Sequence, residues 1–192
     1  MSYKFIFSLI YTFLIIVKLI NGQTDSGLAI GDPAPHFNAN DHEGRLWQSD
    51  QHYQKKYIVV YFYPAAMTGG CTKQACSYRD DQPTFTELAV EVIGISADPV
   101  ANLQLFRAAH HLNFTLLSDV NGFIAQRFGV PLGEGGTIVR SVEENDVTLN
   151  RPYTASRWTF IIDKEGKIIY RDNDVKAADD SKAVISFLKS LK

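Results

Sequence analysis

Three observations predict an α/β fold with a central mixed sheet flanked by helices. The run Ile58-Val59-Val60-Tyr61-Phe62-Tyr63 is β-branched or aromatic throughout, with no polar alternation. That is the pattern of a strand covered on both faces, as in the middle of a parallel sheet. Strand-like and helix-like stretches then alternate as far as residue 128, the order that right-handed βαβ units produce. Finally, 192 residues with 45 % hydrophobic content can bury one sizeable core, and no internal repeat or low-complexity tract argues for a second domain.

The first 22 residues read as a targeting element. Lys4 precedes the apolar run Phe5 to Val17, Lys18 breaks it, and small Gly22 suits a cleavage point. The expectation is a signal peptide over 1–22 on a secreted or periplasmic protein whose domain covers 23–192. A run of thirteen residues is short for a membrane span, so an uncleaved short anchor is the alternative. Both cysteines fall in the exported part, compatible with a compartment where disulfides persist.

A polar lead-in from Gln23 to Ala29 is followed by a short N-terminal hairpin over Asn38 to Trp47, turning at Glu43-Gly44. Gln48 to Lys56 connects it to the core strand. Pro64 ends that strand by removing a backbone donor. Gly69 and Gly70 permit unusual backbone angles and close approaches, with Thr68 before them as a candidate cap. A helix is predicted from Thr68 to Leu88, interrupted at Pro83. Strand Glu91–Ala97 leads to Asp98-Pro99, read as a capping carboxylate and first-position proline for a helix with Val100, Leu103, Phe106, Ala109 and His110 on its apolar face. Phe114–Leu117 is a short strand, and Asn121 to Phe128 a helix ending near Gly129. Thr159–Ile162 and Lys167–Tyr170 form a hairpin with Gly166 left-handed in its loop. Ser181 is expected to cap a last helix with an apolar stripe of Ala183, Val184, Phe187, Leu188 and Leu191.

The chemistry centres on Cys71. At a helix N-terminus, free backbone N–H groups and the dipole favour thiolate over thiol and so a nucleophile. The net charge is −2, and −4 once Lys4 and Lys18 are set aside, so nothing points to nucleic acid. His110 and His111 adjoin no cysteine and are a weak zinc signal. Asn113-Phe114-Thr115 fits a glycosylation acceptor in a eukaryotic host.

The spacing Pro64-x-x-x-Thr68-x-x-Cys71 closely resembles the active-site motif of peroxiredoxins, and Cys76 with Arg79-Asp80 after it is the pattern of the peroxiredoxin Q, or bacterioferritin comigratory protein, type. The likeness runs from about Ile30 to the C-terminus. It includes Gly31-Asp32-Pro33-Ala34-Pro35-His36-Phe37, the strand ends Ser96-Ala97-Asp98 and Leu117-Ser118-Asp119, and Arg157-Trp158-Thr159-Phe160-Ile161-Ile162-Asp163. Gly133 to Ser156 departs from it in length and residues. The resemblance implies a thioredoxin-like fold and a thiol-dependent peroxidase, without metal or other cofactor, reducing hydrogen peroxide and small organic hydroperoxides.

In that reading Cys71 is the peroxidatic nucleophile, and a structural cysteine is the bland alternative. Thr68 holds the sulfur or a peroxide oxygen, or only caps the helix. Pro64 shields the thiolate. Arg157 supplies a fixed cation beside Cys71, against the alternative of a solvated strand-end arginine. Arg79, about 80° round the helix from Cys71, is supporting only. Cys76 resolves the sulfenic acid to a Cys71–Cys76 disulfide, the alternatives being a free thiol or an intermolecular bridge. An external dithiol such as a thioredoxin then regenerates the enzyme, a monomer or weak dimer. The rival is an exported binding or signalling protein that keeps the fold and a structural disulfide without turnover. A disulfide oxidoreductase is disfavoured because Cys-x-x-Cys is absent.

Overall fold

The computed structural model describes residues 27–142 and 144–191, so the signal peptide expected over 1–22 lies outside the described residues. Nine strands and five α-helices are described. They are β1 (Asn38–Asp41), β2 (Leu46–Gln48), β3 (Tyr57–Phe62), α1 (Gly69–Asp80), α2 (Gln82–Glu87), β4 (Val90–Ser96), α3 (Val100–Ala109), β5 (Thr115–Ser118), α4 (Phe123–Arg127), β6 (Leu132–Val142), β7 (Asn145–Ala155), β8 (Trp158–Ile162), β9 (Ile168–Asp172) and α5 (Asp180–Ser190). Seven strands form one mixed sheet in the order β2-β1-β5-β4-β3-β8-β9. Pairings β3/β4 and β4/β5 are parallel, and the others are antiparallel. This is the thioredoxin-like α/β architecture expected, with the predicted hairpin as β1 and β2.

The apolar run of β3 sits between β4 and β8, and period-two geometry divides it between two cores. Ile58, Val60 and Phe62 pack with Ile93, Ile95, Phe128 and Phe160 on one face. Val59, Tyr61 and Tyr63 pack on the other with Cys71, Tyr78, Phe106 and Val184, which arrive on α1, α3 and α5. A strand covered on both faces has no room for polar alternation, which is why the run reads as it does.

Several boundaries and roles differ from expectation. The helix predicted over Thr68–Leu88 is two helices parted at Asp81, with Pro83 in the first turn of α2, where its missing N–H is tolerated. Asp98 does not cap α3: Pro99 is the N-cap, and the buried carboxylate is occupied by tertiary partners described below. Ser181 lies inside α5, its hydroxyl donating to Asp81 at 2.7 Å. The buried stripe of α5 is Val184 and Leu188 with Phe187 partly covered, whereas Ala183 and Leu191 face solvent. Gly166 takes φ 78° in the β8–β9 loop, as a left-handed turn position requires.

The divergent stretch 133–156 contributes most of an antiparallel ribbon of β6 and β7, each eleven residues long. It is mostly exposed, yet Leu149 is fully buried and joins Ile138 and Val142 against the core face that contains Cys71. Arg151 on this ribbon forms a buried ion pair with Asp98 at 3.0 Å.

Candidate active site

β3 runs into a loop at 63–68 and then into α1, so the loop decides where α1 begins. Tyr63 N–H still bonds to Ile95 C=O at 3.1 Å, and the chain then turns away from the sheet. Its left-handed residue is Met67, φ 63°, rather than Gly69 or Gly70. A non-glycine residue at such an angle must be held by its surroundings. Here Asp98 Oδ2 accepts from Ala66 N–H at 2.7 Å, Asp98 Oδ1 takes Arg151 Nε, and Arg140 Nε donates to Met67 C=O at 2.9 Å. The ribbon and the β4–α3 junction thus clamp the loop from two sides.

Thr68 is the N-cap residue of α1 by backbone angle, but its hydroxyl makes no capping bond and donates to Ala65 C=O at 2.8 Å. With its one proton committed there, the oxygen keeps lone pairs for another donor. Pro64, in the same loop, is half-buried. Gly70 leaves space for Arg157: a Cβ at that position would stand 3.4 Å from Nη2.

Cys71 is the third residue of α1 and 2 % exposed. Arg157 reaches it from the two-residue link between β7 and β8, and Nη2 lies 3.3 Å from Sγ. Nη1 of the same guanidinium donates to Gln74 Oε1. The Gln74 amide is in turn bonded through Nε2 to Asp180 Oδ2 at 2.7 Å, which also accepts from Tyr78 OH at 2.8 Å and Thr159 Oγ1 at 2.9 Å. Burial pushes the Asp180 carboxyl up, and the donors from Gln74, Tyr78 and Thr159 pull against it.

Cys76 lies on the same continuous helix, half-buried, and both thiols are free. Arg79 turns away from Cys71: Nη1 donates to His110 C=O at 2.7 Å and Nε to Asp80 at 2.8 Å. The Asp80 carboxylate, with a smaller contribution from Cys76, favours its charged form.

The structure therefore brings Arg157 to Cys71 in the first turn of α1, with Thr68 at the N-cap, Pro64 in the loop between β3 and that helix, and Cys76 further along α1. The loop leaves the C-terminal end of β3, the end of a parallel sheet where ligand sites are built. The groove lined by Lys56, Gln82, Glu91 and Asn113 is at the other end of these strands and has no part in this grouping. The sequence reading missed Gln74, Asp180 and the clamp residues Asp98, Arg140 and Arg151. Gln74 had a usable signal, since i and i+3 share a helix face. Asp180 is 106 residues from Gln74 and had none.

Comparison with known proteins bears on this grouping. Residues 30–171 match the model of the AhpC/TSA family. The chain is 36 % identical over 162 residues to "Peroxiredoxin Bcp" of Escherichia coli, covering 84 % of this chain and 96 % of that one. It is 38 % identical over 157 residues to "Peroxiredoxin Q, chloroplastic" of Oryza sativa subsp. japonica, covering 82 % of this chain and only 63 % of the rice protein. Among solved structures, Peroxidoxin BcpB from Mycobacterium tuberculosis superimposes with a TM-score of 0.71 at 29 % identity over 86 % of this chain and 99 % of that one. Peroxiredoxin Q of Xanthomonas campestris does so with 0.67 at 26 % identity, covering 87 % and 98 %.

Proposed function

Because the chain belongs to the AhpC/TSA family, we propose that it is a thiol-dependent peroxidase acting on hydrogen peroxide and small organic hydroperoxides. The observation that carries this is the Arg157 guanidinium 3.3 Å from the sulfur of Cys71, itself buried in the first turn of α1. The thiolate attacks one peroxide oxygen; an S–O bond forms, the O–O bond breaks, and water or an alcohol leaves, giving Cys71 sulfenic acid. Arg157 faces the charge that shifts from sulfur to the leaving oxygen, and the Thr68 hydroxyl oxygen is available to accept from the peroxide O–H. Pro64, in the loop before α1, is assigned the shielding of the thiolate from water.

In the second half-reaction Cys76 attacks the sulfenic sulfur, water leaves, and a Cys71–Cys76 disulfide forms. An external dithiol of the thioredoxin kind then reduces it by exchange. Export through a cleaved segment at 1–22 would set this cycle in a secreted or periplasmic space.

Stopped-flow mixing of reduced protein with hydrogen peroxide tests the reading. Fast peroxide loss that disappears in Cys71→Ser is expected. A rate no greater than that of a free thiol would favour the binding or signalling alternative, in which the cysteines are structural.

A further inference from the structure

Behind Arg157 stands a buried carboxylate in a role that the peroxidase motif does not include. Asp180 opens α5 and is 2 % exposed. Its Oδ2 takes donors from α1 (Gln74 at 2.7 Å, Tyr78 at 2.8 Å) and from β8 (Thr159 at 2.9 Å), so it joins the helix of Cys71 to the strand that follows Arg157. Oδ1 has no hydrogen-bond partner among the described residues. A proton on the carboxyl would sit on that oxygen, so Oδ2 is an acceptor in either protonation state.

An acceptor at this place decides the orientation of the Gln74 side chain, which has one donating and one accepting end. Oδ2 selects the NH2 end, and the carbonyl end is then left facing Arg157 Nη1. Arginine has five N–H donors and no acceptor, so an amide turned the other way would present donors to donors. With the correct orientation Nη1 is tied to Gln74 and Nη2 is aimed at sulfur.

We propose that Asp180 is a positioning residue for the Cys71 site: it fixes the orientation of the Gln74 amide and, through Gln74, aims the Arg157 guanidinium at the Cys71 sulfur. Asp180 itself touches neither sulfur nor peroxide. The inference rests on the reading of Cys71 as a reactive thiolate, and its test does not need peroxide turnover.

In a Cys76→Ser background, the rate of Cys71 alkylation by iodoacetamide is followed against pH for Asp180→Ala, Asp180→Asn, Gln74→Leu and the Asp180→Ala/Gln74→Leu pair. Thermal melts report stability separately. Asp180→Ala should displace the profile to higher pH by about one unit, read as a roughly tenfold slower reaction at pH values well below the parent's midpoint. Asp180→Asn, whose amide oxygen can still accept from Gln74, should recover most of that loss. The pair should equal Gln74→Leu alone, because Asp180 acts through Gln74. If Asp180→Ala does not fold, Asp180→Ser carries the same expectation, being too short to meet the Gln74 amide. An Asp180→Ala or Asp180→Ser profile that overlays the parent's, a folded Asp180→Asn that recovers nothing, or losses that multiply in the pair would each overturn the proposal. Peroxide consumption measured in parallel separates the two ideas: a parent that alkylates as described but spares peroxide removes the peroxidase reading and leaves the positioning role standing.

Discussion

Arg157 and Cys71 meet from opposite ends of the chain's logic: one from the turn after the central strand, the other from a link 86 residues away. A fixed cation 3.3 Å from a buried sulfur stabilises negative charge there more strongly than it would in bulk water. Arg157→Met keeps the length and removes the charge, so peroxide reduction should slow by about 10²–10³-fold, the scale on which single charge-stabilising donors act. The stopped-flow rate over a pH series is the measurement, and a profile coincident with the parent's would take Arg157 out of the chemistry. Cys71, Thr68 and Pro64 were legible because they share one local motif. Arg157 was legible only through resemblance, since a lone arginine before an apolar strand has a bland explanation. Gln74 shares a helix face with Cys71, but only the approach of Arg157 and Asp180 gives its two ends different partners.

The element that must change during the proposed cycle is α1. It is one continuous helix from Gly69 to Asp80 in the dithiol state and carries both cysteines. Five residues of α-helix separate Cα atoms by about 8.6 Å with a turn of about 140°. A disulfide needs less than about 7 Å and facing Cβ vectors. Closing Cys71–Cys76 therefore requires residues 70–77 to unwind. The first turn is built for that: two glycines stand at its first two positions, each less favourable in a helix than alanine by about 0.5–1 kcal/mol, and the Thr68 side chain makes no capping bond. Unwinding would part Gln74 from Asp180, whereas Tyr78, one residue beyond the segment, can stay on the carboxylate. Amide exchange at Thr72 to Ser77 should be slow in the dithiol form and fast in the disulfide form; equal protection of Thr72 to Ser77 in both would rule the unwinding out. The succession of strands and helices along the chain, the two hairpins and the βαβ units were legible from periodicity and turn residues. The clamp was not: Asp98 reads locally as a helix cap, and its partner Arg151 lies on a ribbon whose pairing depends on a register no short window contains.

On the scale of the whole molecule, the N-terminal hairpin and the parallel strands are joined through His42, just after β1, whose Nδ1 accepts from Leu116 N–H of β5 at 3.3 Å. The ring is 5 % exposed, and burial first, then the Arg107 charge, holds it below the usual histidine range despite Asp41 and Glu43 nearby. His110, packed edge-on against Phe106, is lowered likewise by burial and by Arg79 and His111. For such groups the unfolded chain binds more protons than the folded one, once pH falls below the ordinary value near 6.5, so folding is weakened as pH falls through that window. Asp119 and Asp180 are raised by burial, which has the opposite sign: the folded state keeps the proton longer, and their contribution is lost as pH rises from about 4 through their folded values. The two effects carry opposite signs, so a loss of stability on going from neutral to mildly acid pH is of the histidines' sign and not of the carboxyls'. His42→Asn retains a side-chain acceptor for Leu116 N–H and removes the titration. Melting temperatures taken between pH 7.5 and 5.5 should drop for the parent and drop less for His42→Asn, with the curves converging toward the acid end. Parallel curves over that interval would show that protonation of His42 does not limit the stability of the fold in acid.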